Sequence, residues 1–301
     1  MKHVIIIGSR NSGSKNNPDE IARHIASSDT QVIRVHWEDI IFSIKSGIVS
    51  VTAGDVDLLS SKTNLVIAVG WYKNGSKSIY RDVAFSLALA LRHNEITFWN
   101  SEMLHQRSTT KLSAMVQLAL EGIPVPDSTF SIDTKIALNT RPSFPYVIKA
   151  VAASRGRSNF LIENEEQLKN TDLSEGYFVI QPFLSNDHDL RVICFNGNPS
   201  LILRRSRAVN SETHMNNTSQ GGMANWIELS DVSPELLTLS TKVCTIMGRE
   251  MAGIDLIPDN SSRFGYSCLE VNAVPQLTSG TDSDKKLTAF SEAIRDLKGE
   301  F

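Results

Sequence analysis

Near the C-terminus, three oxygen-bearing side chains interrupt apolar runs that read as strands. In "AGIDLI" Asp255 stands between Ile254 and Leu256, and in "CLEVNA" Glu270 and Asn272 alternate with Leu269 and Val271. Successive strand residues point to opposite faces. The apolar neighbours are therefore expected to enter a core, while Asp255, Glu270 and Asn272 leave two strands toward one shared surface. If the two carboxylates are neighbours about 4 Å apart, their repulsion costs on the order of 4 kcal/mol at an effective dielectric of roughly 20, and a cation between them removes that cost. Two carboxylates and an amide offer only oxygen, which suits a hard ion such as Mg2+ whose shell is completed by water and substrate phosphates. On these residues alone, a solvated outer face of a sheet is the alternative.

Basic residues point the same way. Asp189 and Arg191 share one face of "DLRVICF", and Arg204 and Arg205 lie on the adjoining strand of a hairpin signalled by "FNGNPS". Both of those arginines are expected to be available to the site. Cations beside magnesium neutralise phosphate oxygens in phosphoryl transfer, although any single arginine also suits a surface ion pair. Lys149 in "YVIKAV" places an ammonium in an apolar strand, where desolvation without an anion is costly. The "AASRGRSN" that follows has the small residues and glycine of a loop that can turn backbone amides toward phosphate.

The elements that must position these groups fall into three stretches. Up to residue 105, "HVIIIG", "QVIRVHW", "LVIAVGW" and "ITFWN" read as strands and "DEIARHIASS" and "YRDVAFSLALALRH" as helices, an alternation that predicts a parallel α/β layer. The first turn, "GSRNSGSK", matches neither GxxxxGK[ST] nor GxGxxG and reads as a strand-to-helix connection. From 106 to 184, Thr109 or Thr110 caps a helix that carries Leu112, Met115, Val116 and Ala119 on one face and stops at Gly122. The strands "YVIKAV", "NFLI" and "YFVIQPFL" and the helix "ENEEQLKN" follow. From 185 to 301, "LRVICFNG", "SLILRRSR", "NWIEL", "AGIDLI" and "YSCLEVNA" are strands, and "SPELLTLSTKVCTIMG" and "KKLTAFSEAIRDLK" are helices.

Composition limits the partners. The chain has 301 residues with 30 basic against 33 acidic side chains, net charge -3 and no long run of one sign, so nothing in the balance calls for nucleic acid or an anionic membrane. No apolar stretch approaches the roughly 18 residues of a membrane span, and a cytoplasmic protein is expected. Cys194, Cys244 and Cys268 sit in apolar surroundings and read as buried thiols, and the histidines show no zinc-ligand spacing.

Together these residues resemble the ATP-grasp superfamily, and within it the RimK-like branch of amino-acid and peptide ligases. From about Ser108 to Ile294, "TTKLSAMVQLALEGIPVP", "YVIKAVAASRGRSNFLI", "FVIQPFL", "DLRVICFNG", "NNTSQGG", "AGIDLI" and "LEVNAVPQL" occur in the family's order. The resemblance implies an α/β, Rossmann-like pre-ATP-grasp domain over 1–105. An α+β ATP-grasp fold of two lobes clasping the nucleotide follows, with a small central lobe over 106–184 and a large C-terminal lobe over 185–301. It implies that Lys111 and Lys149 contact the ATP phosphates, with Ser154, Arg155 and Gly156 in a phosphate-covering loop. Gln181, Pro182, Phe183 and Leu184 would form the hinge whose backbone meets adenine, Asp189 would reach the ribose, and Asn217 would serve the phosphate and metal end. Arg191 and Arg205 are similar to the catalytic arginines that steady the phosphates and an acyl-phosphate, and Asp255, Glu270 and Asn272 match the family's magnesium ligands.

The implied activity is an ATP- and Mg2+-dependent carboxylate-amine ligase, with Mn2+ as an admissible substitute, that forms an amide bond through an acyl-phosphate and releases ADP and phosphate. Small-molecule or peptide carboxylates and amines are the implied substrates, and a homo-oligomer is compatible with the resemblance. Pro182 stands where such ligases often carry Glu, and Arg204 where an acidic residue is usual; the second change bears on the acceptor side. The rival reading is a non-catalytic nucleotide-binding sensor or scaffold, against which the complete metal trio argues. A nicotinamide oxidoreductase built on "IIIGSRNSG" lacks GxGxxG.

Overall fold

The computed structural model describes residues 2–10, 16–27, 29–70, 77–105, 110–151, 159–173, 177–207 and 222–297. The N-terminal part runs β1 (Lys2–Gly8), α1 (Pro18–Ile25), β2 (Thr30–His36), β3 (Ile40–Lys45), β4 (Ile48–Ala53), β5 (Val56–Asp57), β6 (Leu65–Ala68), α2 (Lys77–His93) and β7 (Thr97–Trp99). Strands β2-β1-β6-β7 form the expected parallel sheet. Its centre explains the unbroken "VIII" of β1, because a parallel strand covered on both faces reads as a continuous apolar run. Val4 and Ile6 join one core with Ile21 and Ile25 of α1, while Ile5 and Ile7 join another with Leu87 and Leu91 of α2. The antiparallel sheet β3-β4-β5 was not anticipated from the sequence. Ser46 and Gly47, both at positive φ (49° and 81°), make its first turn, so "SG" between two alternating runs was the available cue.

The middle of the chain holds α3 (Lys111–Leu120), β8 (Thr129–Phe130), α4 (Thr134–Asn139), β9 (Tyr146–Ala150), β10 (Asn159–Ile162), α5 (Glu165–Asn170) and β11 (Phe178–Pro182), with the antiparallel order β10-β9-β11-β8. Tyr146, Ile148, Ile162, Phe178 and Ile180 form its core. Helix α3 begins at Thr110, whose backbone N–H is held by the Ser113 hydroxyl at 3.0 Å, and Gly122 (φ 71°) follows its end. The buried face of α3 differs from the expected one: Ala114, Met115 and Leu118 are buried, whereas Val116 is half exposed and Ala119 exposed. The reason is tertiary. Ala114 and Leu118, one turn apart, enter the core formed by the third part of the chain rather than one of their own.

That third part comprises β12 (His188–Phe195), β13 (Asn198–Ser206), β14 (Met223–Ile227), α6 (Pro234–Met247), β15 (Ala252–Pro258), β16 (Tyr266–Asn272) and α7 (Ser283–Asp296). Its sheet, ordered β14-β13-β12-β15-β16, is antiparallel throughout. Asn196 and Gly197 (φ 49° and 72°) make the two-residue turn between β12 and β13 that their identities favour. On one face Leu190, Val192, Cys194, Ile202, Ile254 and Leu256 pack against α3 and α6; Cys244 and Cys268 lie in the same core, and all three cysteines are free and buried. On the other face Ile193, Phe195 and Leu201 pack under α7, whose Leu287, Phe290 and Ile294 share a core with β1 and α1.

Polar groups complete that junction. The Asn100 side chain accepts from the Met251 N–H at 2.8 Å and donates to the Ala273 carbonyl at 2.5 Å, and Asn16 accepts from the Leu277 N–H at 2.7 Å. Among the described residues no helix is long and apolar enough to cross a membrane.

Candidate active site

Between the central antiparallel sheet and the five-stranded sheet lies a cleft. Val147, Lys149, Asn159, Gln181, Pro182, Phe183 and Leu184 line it from the first side, Asp189, Arg205, Asp255, Ile257, Leu269 and Glu270 from the second, and Lys111, at the start of α3, stands between them. Strand period places Val147 and Lys149 of β9 on one face, and Asp255 and Ile257 of β15 on another. The cleft therefore gathers ten residues singled out in the sequence.

Arg191 adjoins it through Asp255. Asn272 pairs with Gly253 across β15 and β16, where its amide nitrogen donates to the Gly253 carbonyl at 3.4 Å; it is not among the residues lining the cleft. Ser154, Arg155, Gly156 and Asn217 lie outside the described residues.

Asp255 and Glu270 are direct partners across β15 and β16, but the ladder skips a residue next to them. Leu256 pairs with Cys268, leaving Leu269 as the extra residue of a bulge. Cys268 goes into the core and Leu269 lines the cleft with Glu270, so the expectation that Leu269 points into the core is corrected. Strict alternation fails at a bulge because two residues on one strand oppose one on the other. Arg204 is corrected as well. Adjacent strand residues face opposite sides, and while Arg205 enters the cleft, Arg204 lies against His188 (3.2 Å) and Asp187 (3.5 Å).

The buried charges form a chain. Arg191 grips Asp255 through two hydrogen bonds of 2.7 Å, Arg205 approaches the same carboxylate at 3.3 Å, and the Arg205 Nε donates to Asp189 at 2.6 Å. Burial pushes the Asp255 carboxyl upward, but the two guanidiniums outweigh it and hold the group at about 2. Asp189 goes the other way: burial raises it more than Arg205 lowers it, and the charge on Asp255 adds to the rise. For Arg205, burial would favour the neutral form, yet the two aspartates more than offset it and raise its pKa. The repulsion that the sequence assigned to a metal is thus met at Asp255 by guanidinium charge, and the Asp189 carboxylate is committed on one side to Arg205.

Across the cleft, burial and the neighbouring Lys111 charge push Lys149 down to about 8, with Glu270 pulling the other way. Lys111 reaches Glu270 at 4.0 Å and the Ala150 carbonyl at 3.5 Å. At the hinge, Gln181 turns its side-chain nitrogen inward to the Ser128 hydroxyl at 2.8 Å, and the Phe183 N–H goes to the Pro145 carbonyl at 3.1 Å. Val147, Ile257 and Leu269 supply apolar walls that the sequence reading missed. The first two stand two positions from Lys149 and Asp255 on the same strands, a signal that period 2 makes legible.

Among the described residues, no three His, Cys, Asp or Glu side chains come together as a metal cluster. A metal here would rest on two carboxylates completed by an amide oxygen, a set that suits magnesium better than a transition ion. Glu270 is the open member, with its side chain 37% exposed, and the amide of Asn272 turns its nitrogen to the backbone, which leaves its carbonyl oxygen as a donor.

Two facing sheets with Lys149 on one wall, carboxylates and arginines on the other and Lys111 between them define a nucleotide-clasping fold, and comparison with known proteins gives that class its family. Residues 108–294 match the RimK-like ATP-grasp domain, and the chain belongs to that family. It is an ATP-grasp ligase, an enzyme that forms carbon–nitrogen bonds. Among relatives, a probable alpha-L-glutamate ligase from Alkalilimnicola ehrlichii is 28% identical over 225 residues, 70% of this chain and 73% of that one. The alpha-aminoadipate--LysW ligase LysX from Sulfurisphaera tokodaii is 32% identical over 177 residues, 55% of this chain and 59% of that one.

Solved structures share the fold over nearly the whole length. The ATP-grasp ligase PsnB complexed with minimal precursor has a TM-score of 0.70 at 14% identity, covering 98% of this chain and 99% of that one. The VanG D-Ala:D-Ser ligase from Enterococcus faecalis has a TM-score of 0.65 at 14% identity, covering 98% and 97%.

Proposed function

We propose that this ligase uses ATP to activate a substrate carboxylate as an acyl-phosphate and joins it to an amine, releasing ADP and phosphate. A substrate carboxylate oxygen takes the γ-phosphoryl group and ADP leaves. The amine nitrogen then attacks the acyl carbon, the carbon–oxygen bond to phosphate breaks, and the nitrogen loses a proton. Lys111 and Lys149 bind the phosphates, the backbone of Gln181 to Leu184 receives adenine between the apolar walls, and the free side of Asp189 meets the ribose. Arg191 and Arg205 steady the transferred group. Ser154, Arg155, Gly156 and Asn217 belong to the same reading.

Asp255, Glu270 and Asn272 hold Mg2+, or Mn2+ in its place. When bound, the metal supplies charge neutralisation at the phosphate oxygens. The remaining rate comes from positioning and exclusion of water. The substrates are small-molecule or peptide carboxylates and amines; the names of the relatives favour a dicarboxylic amino acid as one of them. We further propose a cytoplasmic location and the three-part division at 105 and 184.

The observation that supports this reading most is the cleft in which Lys111 and Lys149 face Asp255 and Glu270. Glu270→Ala tests it better than any change at Arg205, whose removal would leave the buried Asp189 carboxylate without its guanidinium and take one of two guanidiniums from Asp255, at a cost of about 3–5 kcal/mol. Because Glu270 is partly exposed, its loss changes stability by only about 0.5 kcal/mol. ADP release should nevertheless fall by about a hundredfold or more, and chelation of the wild-type protein should do the same until Mg2+ or Mn2+ is returned. Near-normal ADP release from a folded Glu270→Ala protein would overturn the role.

A further inference from the structure

The antiparallel sheet β3-β4-β5 ends on an open edge. Among the described residues no strand pairs with β3 on the side away from β4. The ladder between β3 and β4 fixes which backbone groups that edge presents. Ser46 and Gly47, both at positive φ, close a two-residue turn, so Lys45 and Ile48 are a hydrogen-bonded pair, and Ser43 with Ser50 and Ile41 with Thr52 follow at every second step. Ile40, Phe42 and Ile44 therefore turn their backbone groups outward. Val51, opposite Phe42, confirms this, because its carbonyl points away from β3 to accept the Leu58 N–H at 2.9 Å. Of the outward groups, the Ile40 N–H is taken by the Trp37 carbonyl.

The edge lacks the features that keep such strands apart. β3 has no proline, its ladder has no bulge, and its one charged side chain, Lys45, stands at the turn. Its side chains are apolar beyond what the chain itself covers. Ile40, Phe42, Val51 and Ala53 face the protein's own core, but Ile44 and Val49, the next pair on that face, run past it and are 74% and 46% exposed. Ile41 and Ile48 are exposed on the opposite face. Such a concentration of uncovered apolar side chains marks an interaction surface.

We infer that β3 pairs antiparallel with β3 of a second copy of this chain, joining their three-stranded sheets into one continuous sheet across a two-fold axis. The register that pairs every outward residue puts Phe42 opposite Phe42 of the second copy and Ile40 opposite its Ile44. The two Phe42 residues exchange N–H and C=O bonds, and each Ile44 N–H donates to the facing Ile40 carbonyl. The two-fold closes the edge, so association stops at two. Opposed residues share a face, which leaves both bodies on the same side of the joined sheet. Ile44 then lies beside Ile40 of the second copy, at the rim of that copy's core, with Val49 behind it. A lone peptide strand would satisfy the edge but leave both uncovered. The same register sets Lys45 opposite Asp39 of the second copy, whose side chain is 35% exposed, so an opposite charge meets the lysine at each end of the contact. None of these residues lines the cleft, so the pairing stands apart from the ligase reading.

Sedimentation velocity on the full chain, from about 1 μM to about 100 μM, should give twice the 33.3 kDa chain mass at the upper end. Ile44→Asp, at an exposed position, and Ile44→Pro, which removes an N–H that β4 does not use, should stay monomeric throughout with the far-ultraviolet circular dichroism of the wild type. Lys45→Asp, which sets two acids against each other, should raise the dissociation constant roughly tenfold. The register has its own readout. Positions 41 and 43 of the two copies would face each other as a non-hydrogen-bonded pair with Cα atoms about 4.5 Å apart, within disulfide range. Ile41→Cys protein mixed with Ser43→Cys protein should therefore form a disulfide-linked pair on mild oxidation that neither forms alone. A wild type still monomeric at about 100 μM, a dimer that Ile44→Asp leaves unchanged, or a mixture that cross-links no better than either protein alone would overturn the inference.

Discussion

Lys149 shows how one residue links burial to ligand binding. Its pKa of about 8 lies below the ordinary lysine value of 10.5 because burial and the Lys111 charge both disfavour the ammonium. A lysine lowered on folding carries a stability penalty that is complete below pH 8 and is relieved as pH rises from about 8 to 10.5, where the unfolded chain binds the extra proton. Nucleotide phosphates reverse the preference. ATP affinity should therefore be level from pH 7 to about 8 and then weaken by up to about tenfold per pH unit as binding must take up a proton. Titrations in buffers of different ionisation enthalpy would reveal that uptake above pH 8, and Lys149→Met should abolish it. Affinity unchanged to pH 9.5 would rule out Lys149 as a phosphate ligand. Its place in an apolar strand made this lysine legible, whereas Lys286 was not, since nothing in "SDKKLTAF" distinguishes a buried lysine from the partly exposed one beside it.

At the scale of the element, the bulge in β16 decides which side chains build the cleft. Alternation correctly sends Asp255 and Glu270 to one side, but it sends Leu269 to the wrong one. Two serine substitutions separate the cases. Val271 is buried in the core, so Val271→Ser should cost about 2 kcal/mol in urea unfolding. Leu269→Ser should leave stability within about 0.5 kcal/mol of wild type while raising the KM for ATP. Equal destabilisation by both would mean that Leu269 is a core residue after all. A similar lesson applies to α3, where the sequence supplied the cap and the stop but the exposed Val116 and buried Ala114 were settled by a partner sheet some seventy residues or more downstream in the chain.

For the whole molecule, the N-terminal sheet is fastened to the ligase sheet by a shared core and by Asn100 at its edge. Val4, Ile6 and Ile21 pack in one cluster with Leu277, Leu287 and Phe290, so these parts should unfold together in a single transition. Asn100→Ala leaves the buried Met251 N–H and Ala273 carbonyl without their partner and should cost about 2–4 kcal/mol. Calorimetry would test both statements. Two separate transitions, or an Asn100→Ala protein as stable as wild type, would show that the junction is looser than its contacts indicate.

Most strands and helices, the Asn-Gly hairpin, the buried cysteines and the candidates for phosphate and metal chemistry could be read from the sequence, because period, turn chemistry and the cost of burying a charge act over a few residues. What the sequence could not supply was pairing: that Arg191 holds Asp255, that Asp189 is engaged on one side by Arg205, and that Arg204 faces away. Those facts depend on which strands become neighbours and where a ladder slips by one residue. Both are fixed by packing between segments far apart in the chain, and local patterns carry no record of them.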